Sequence, residues 1–203
     1  MRIQRLVQSL AIVFFASFGA AAYASPVAGD AGAFITALAH KGLSSGSDKT
    51  LSASDRQQAF QALVDENFDL PWIARFVLGH YWRQTNDADR QEFTAVFRDT
   101  MVRAYTQRFT DYRADSFRVV GERAEGATSA MVDTEITRIA TGQVINLVWR
   151  LNDNNGYRVI DMSVGGVSMA IVKRDEISSI LGRSGGDVQG LIRQMRGNAQ
   201  SSR

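Results

Sequence analysis

Two Gly-x-Ser-x-Gly strings, Gly42-Leu43-Ser44-Ser45-Gly46 and Gly182-Arg183-Ser184-Gly185-Gly186, are the nominal nucleophile elbows of this chain. An elbow works by holding its serine on a sharp strand-to-helix turn with a histidine base in reach. The first string falls in a Gly/Ser-rich connector between helices, and no histidine follows the second. His40 and His80 are the only histidines and there is no cysteine. Thiol nucleophiles, disulfides and thiolate metal sites are therefore excluded, and the carboxylates lack the spacing that a metal would need. His80, between Gly79 and Tyr81, reads as a packed or hydrogen-bonded turn residue, and His40 as exposed. The acid pairs Asp65-Glu66, Asp133/Glu135 and Asp175-Glu176 fall at helix ends or on the polar face of a strand and read as solvated surface. Without a Walker loop or a dinucleotide fingerprint, the expectation is a protein that is not an enzyme and has no catalytic residue, metal or cofactor.

Arginine dominates the remaining charged chemistry: only Lys41, Lys49 and Lys173 of the 23 basic residues are lysines. Guanidinium forks hold carboxylates and phosphates in two-point contacts that an ammonium cannot make. The net charge of +2 nevertheless argues against a nucleic-acid partner. Residues 1–24 have the layout of a secretory leader, with Arg2 and Arg5, an apolar run from Leu6 to Ala22 and the small-residue site Ala22-Tyr23-Ala24. Cleavage before Ser25 removes both arginines and leaves 21 basic against 21 acidic residues, with none of the basic excess that phosphate backbones demand. The product, residues 25–203, is expected to be one domain with an ordered core at about 28–196, large enough for a sizeable core. An exported domain without disulfides fits a bacterial periplasm.

The elements that must position these groups follow from periodicity. Ala28 to Ala39 reads as a short helix, followed by the Gly42–Ser47 connector. Ser54 with Gln57 suggests a capping box for a helix carrying Phe60, Leu63, Val64 and Phe68. Asp69 and Pro71 open a short apolar helix, Leu70 to Leu78, that Gly79 closes. Thr85 or Asn86 then caps a long helix whose stripe is Phe93, Val96, Phe97, Met101, Ala104, Tyr105, Phe109 and Tyr112. After it the period changes. Phe117–Arg123, Ser129–Ile139, Gln143–Leu151 and Gly156–Val164 read as strands joined by hairpins at Gly126, Gly142 and Gly156. Helices followed by a four-stranded antiparallel meander indicate an α+β fold. In the third strand Val144 and Val148 oppose Ile145, Leu147, Trp149 and Leu151, and in the fourth Val159 opposes Ile160, Met162 and Val164. Both faces there are expected to be covered. Val167 to Val172, a helix near Asp175–Leu181, a break at Gly182–Gly186, a helix near Asp187–Met195 and a disordered tail complete the chain.

The ordered set Phe76-Val77-Leu78-Gly79-His80-Tyr81-Trp82-Arg83, Arg90-Gln91-Glu92-Phe93 and Asp161-Met162-Ser163-Val164-Gly165-Gly166-Val167-Ser168 resembles the Mla-pathway, toluene-tolerance family of periplasmic phospholipid-binding proteins. His80 and Gly165 depart from the residues common there. The resemblance implies a helical layer packed over a curved antiparallel sheet, with an apolar cavity for acyl chains between them. It also implies a role in outer-membrane lipid asymmetry, carrying lipid between an outer-membrane lipoprotein complex and an inner-membrane ABC transporter with its substrate-binding subunit, as a monomer. Two chains of about 15 methylenes cost on the order of 24 kcal/mol to expose to water, so such a carrier must enclose them.

On that resemblance the lining is expected from Phe76, Val77, Trp82, Phe93, Phe97, Met101 and Tyr105 of the helices and from Ile145, Leu147, Trp149, Ile160, Met162 and Val164 of the strands. The same residues could equally form ordinary core. Arg75, Arg83 or Arg103 is placed at the mouth, where a guanidinium would meet a headgroup phosphate. Three other readings stay open: a pocket enzyme using His80 or Asp161, a carrier of hopanoids or aromatic solvents, and an adaptor whose interior is filled.

Overall fold

A computed structural model describes residues 30–47, 50–111, 116–138 and 141–201. The expected leader and the start of the first helix at Ala28 lie outside the described residues. Helix α1 (Ala31–Ser47) runs through the stretch read as a connector. Glycine and serine are poor helix formers, but Ile35 and Leu38 are buried against the sheet. Gly42 faces Leu63 of the next helix, where a Cβ would make an ordinary van der Waals contact at 3.5 Å with Leu63 Cδ1. Ser44 therefore sits in a helix and donates its hydroxyl to the Lys41 carbonyl.

Helix α2 (Ala53–Asn67) is opened by Ser52 and Asp55, not by Ser54 and Gln57. The Ser52 hydroxyl accepts from the Asp55 N–H at 3.1 Å, and the Asp55 carboxylate accepts in return from Ser52. A charged acceptor suits the positive end of a helix better than the Gln57 amide does. Helix α3 (Leu70–Leu78) matches its sequence signals: Asp69 accepts from the Trp72 N–H, Pro71 lies in the first turn, and Gly79 ends it at φ 58°. A single turn, α4 (Tyr81–Gln84), follows. In α5 (Asp87–Asp111) Asn86 provides the cap, accepting from the Asp89 N–H at 2.9 Å. Buried Thr85 instead donates to the Tyr81 carbonyl. Along α5, Phe93, Val96 and Phe97 are buried, Met101 is half-buried and Ala104 is exposed. The side chains of Tyr105 and Phe109, and Tyr112 itself, lie outside the described residues.

Strands β1 (Ser116–Ala124), β2 (Ser129–Thr137), β3 (Val144–Asp153) and β4 (Tyr157–Val164) form the expected antiparallel meander. A two-residue strand β5 (Val167–Ser168) extends it to an open sheet of five, in the order β1-β2-β3-β4-β5. Helix α6 (Met169–Arg183) begins at Met169 instead of Asp175, because Ser168 caps it by accepting from the Ile171 N–H. Asp161 anchors that start. It accepts from the N–H groups of Met162 and Ala170 and from the Ser168 hydroxyl, at 2.8, 2.9 and 2.5 Å. The Asp161–Ser168 string is thus a hairpin folded onto a helix N-terminus. Ser184 of the second Gly-x-Ser-x-Gly string is the C-cap of α6. The last helix, α7 (Val188–Ser201), runs beyond Met195 through residues expected to be disordered.

Two bulges bend the sheet. Val120 is skipped in the pairing of β1 with β2, and Ile160 in that of β3 with β4, where Arg150 faces Asp161 but Leu151 faces Val159. An extra residue resets the alternation of a strand. Val159 therefore shares a face with Met162 and Val164 and does not oppose them, as a strictly alternating strand would require.

The apolar residues form two separate cores. One is entirely helical, with Val77 and Leu78 of α3, Phe93 and Phe97 of α5, and Leu181 and Ile192 of α6 and α7. The other joins α1 and α2 to the sheet through Ile35, Leu38, Leu63, Val132, Trp149 and Leu151. Helix α5 packs chiefly on α2, α3 and α7.

Candidate functional site

Residues paired directly across antiparallel strands project to the same face. The pairs Val132↔Trp149, Thr134↔Leu147 and Ile136↔Ile145, with Trp149↔Met162 and Leu147↔Val164, therefore define one inner face turned to the helices. Val119↔Thr134 and Phe117↔Ile136 extend it to β1. The cover over this face is uneven. Ala130, Val132, Leu151 and Val159 are fully buried beneath α1 and α2. Farther along, Phe117, Ile136, Ile145, Met162 and Val164 are only half-buried. Between the two halves the Trp149 Nε1–H donates to the Thr134 hydroxyl at 3.0 Å, and that hydroxyl faces the Leu147 carbonyl at 3.4 Å. This polar pair between the two halves is thus satisfied internally.

The outer face is different. Val144 points outward and is 50% exposed, so the expected cover on both faces of β3 is absent. Outward residues carry ion pairs instead: Arg118–Glu135, Arg123–Asp133 and Arg150–Glu125, at 2.5, 2.5 and 2.6 Å. These side chains are substantially exposed, which makes each pair worth little. They do leave each of these guanidiniums with a carboxylate.

The end of α5 is tethered to the start of β1. Only residues 112–115 separate Asp111 from Ser116, a reach of at most about 18 Å. Met101, at the edge of the helical core, belongs to the C-terminal half of that helix. Among the residues expected to line a cavity, the structure brings Ile145, Leu147, Trp149, Met162 and Val164 together on the inner face. Ile160 is the buried bulge residue beside them. Val77, Phe93 and Phe97 lie in the helical core, at 0, 0 and 3% exposure. Phe117, Val119 and Ile136 share the inner face and were not anticipated. Their signal was present, since they alternate on β1 and β2 as Ile145 and Leu147 do on β3.

A second concavity lies on the outer side of α3. Ala74, Val77 and Leu78 point into the helical core, whereas Trp72, Arg75, Phe76 and Gly79, spaced for the opposite side of the helix, line a cleft of about 380 Å³ with His80, Trp82, Arg83 and Arg174. Trp72 and Phe76 stack with ring centres 5.3 Å apart and planes 6° from parallel. The Arg174 guanidinium lies 5.1 Å from the Phe76 centroid. Gly79 makes room for it, because a Cβ there would lie 3.4 Å from the Arg174 nitrogens. Trp82 is fixed from behind by Arg90, which stacks at 5.3 Å and donates to the Trp82 carbonyl. Of the arginines expected at a mouth, Arg75 and Arg83 meet here and Arg103 does not line the cleft. Arg174 joins them from α6, nearly a hundred residues away in sequence, and no local spacing announces it.

Exposed His80 sits at the rim of this cleft, its ring centre 3.9 Å from that of Tyr81. Asp161 commits both carboxylate oxygens to the start of α6. Two groups have shifted titration. The hydrogen bond that Arg98 donates to Asp99 raises the Arg98 guanidinium, and burial, with Asp153, Asp30 and Glu122 adding to it, raises Tyr157. Neither lines the cleft. Among the described residues no three His, Asp or Glu side chains converge as a metal site would require, and no helix is long and apolar enough to cross a membrane.

Comparison with known proteins adds two findings. The family model described as MlaC protein matches residues 39–197. A solved structure, the phospholipid-binding protein from Ralstonia solanacearum in complex with a phospholipid, superimposes with a TM-score of 0.74 at 21% sequence identity. The match covers 86% of this chain and 99% of that one, so the two share a fold.

Proposed function

The chain belongs to the MlaC family, and from that membership we propose that it is a soluble phospholipid carrier, acting by binding and not by catalysis. The observation that carries this reading is the half-buried stretch of the inner sheet face. Phe117, Ile136, Ile145, Met162 and Val164 make an apolar surface that packs against the edge of the sheet core and stays only partly buried. Acyl chains occupy that space, against the strand residues, with Leu147 and Trp149 as the floor. The shared fold of a protein solved in complex with a phospholipid supports a phospholipid ligand.

Energetics then restrict the mechanism. A pocket that replaces the bilayer as solvent for the chains gains little over it, so uptake and release are each near neutral and direction comes from partners. In this reading residues 1–24 direct export and are removed. The product works as a monomer in the periplasm, between an outer-membrane lipoprotein complex and an inner-membrane ABC transporter.

Native mass spectrometry with lipid extraction tests the proposal. The purified protein should carry a diacyl phospholipid, and Ile145→Glu, which places a charge among the tails, should lose it while remaining folded. A wild-type protein that carries no lipid and takes none from phospholipid vesicles would refute the carrier reading.

A further inference from the structure

The cleft outside α3 holds three guanidiniums, from Arg75, Arg83 and Arg174, and no carboxylate lines it. Among the described residues none of the three has an acidic partner within ion-pair distance, in contrast to Arg118, Arg123 and Arg150 on the sheet. Arg75 and Arg83 occupy the last turns of α3 and α4. The partial negative charge of helix C-termini helps the fold to tolerate cations there, but it does not supply the two-point contacts that a guanidinium makes with an anion.

We propose that this cleft is a binding site for a phosphate group, separate from the apolar face of the sheet. Three forks arising from three different helices suit the several oxygens of a tetrahedral phosphate better than the two oxygens of a planar carboxylate, which one fork satisfies. The stacked rings of Trp72 and Phe76 form a hydrophobic floor beside the cations, so an ester carrying the phosphate on an apolar stem gains contact that a bare ion lacks. A volume of about 380 Å³ admits a headgroup-sized ligand and is at the small end for ligand pockets. Two sources share this chemistry, the phosphodiester of a phospholipid headgroup and free phosphate. The site does not depend on the tail-binding reading, because none of its lining residues belongs to the sheet.

Tryptophan fluorescence gives a direct test. Trp72 and Trp82 line the cleft, and the third tryptophan, Trp149, is 9% exposed on the sheet. The purified protein is titrated at low salt with inorganic phosphate, with monomeric dihexanoyl phosphatidylglycerol, and with dihexanoylglycerol as the phosphate-free control. Saturable responses to the two phosphate ligands are expected, each weakened roughly tenfold or more by a single Arg75→Gln, Arg83→Gln or Arg174→Gln, as for the loss of one charged hydrogen bond. Any response to the control should be indifferent to those changes. Tighter binding of the phospholipid than of inorganic phosphate identifies a headgroup, and equal binding identifies free phosphate. The Ile145→Glu variant should titrate with phosphate as the wild type does, even where it has lost lipid. The proposal is overturned by an absent response, by one that survives all three substitutions in a variant with unchanged circular dichroism, or by its loss in Ile145→Glu.

Discussion

Along the inner face of the sheet, Ala130, Val132, Leu151 and Val159 have no exposure at all, while Ile136, Ile145, Met162 and Val164 on the same strands stay half-buried. Residue type does not separate the two groups, since both are aliphatic and alternate with the same period. The cover separates them. Helices α1 and α2 seal the first group, whereas the second group lies at the edge of the same core and is only partly covered. The proposed binding surface is thus a set of core-type positions left partly uncovered, and the burial forgone is the driving force a ligand would draw on.

The largest expected effect breaks that comparison if it fails. Leu151→Ala should cost about 3 kcal/mol, because it opens a cavity among fully buried neighbours. Ile145→Ala should cost roughly 1 kcal/mol or less in the lipid-free protein, since the side chain there has fewer contacts to lose. Urea unfolding of the two variants measures both, and equal costs would mean that the face is one continuous core. Lipid retention should follow the opposite order, reduced by Ile145→Ala and spared by Leu151→Ala wherever the latter is folded.

Thr134 and Trp149 mark the boundary between the halves. Thr134→Val keeps the shape but leaves the indole N–H without its acceptor, at a cost of roughly 1–3 kcal/mol. Adding Trp149→Phe should recover part of that loss, and a double-mutant cycle measured by thermal unfolding reads the coupling. Additive losses would show that the 3.0 Å contact contributes nothing to the boundary. Ser168→Ala should cost about 1 kcal/mol as a lost helix cap and leave lipid retention unchanged. This outcome would confine the Asp161–Ser168 string to holding α6 in place.

Much of this architecture was legible in the chain because local chemistry fixes it. Asp69, Pro71 and Gly79 bound α3 as expected, and Gly126, Gly142 and Gly156, all at positive φ, set the hairpins. Where the reading failed, a long-range contact had overridden a local preference. The glycines and serines of Gly42–Ser47 look like a linker until Leu63 is found against Gly42. A bulge such as that at Ile160 exists only relative to a partner strand, so Val159 could not be assigned its face from alternation alone. The candidate lining read from the helices mixed two stripes of α3, one facing the core and one the cleft, because Phe76 and Val77 are neighbours in sequence but diverge by about 100° around the helix. Arg174 had no signal until α6 was seen to pack on α3.

The smallest effect concerns how firmly the sealed half is closed. The Tyr157 ring packs 5.8 Å from Phe34 of α1, and burial, reinforced by Asp153, Asp30 and Glu122, raises its phenol above 10.0. Glu122 also accepts from the Gly32 N–H at 2.7 Å, so the same carboxylate ties α1 to the sheet. In the unfolded chain the phenol ionises near its ordinary value, whereas in the fold it holds its proton to higher pH. Its contribution to stability is therefore whole below pH 10 and is lost as the pH rises through the folded value. Unfolding free energies measured from pH 8 to 11 should fall less steeply for Tyr157→Phe than for the wild type. Equal slopes would mean that the phenol does not sense the carboxylates at the docked end of α1, and that the closure of this half rests on apolar burial alone.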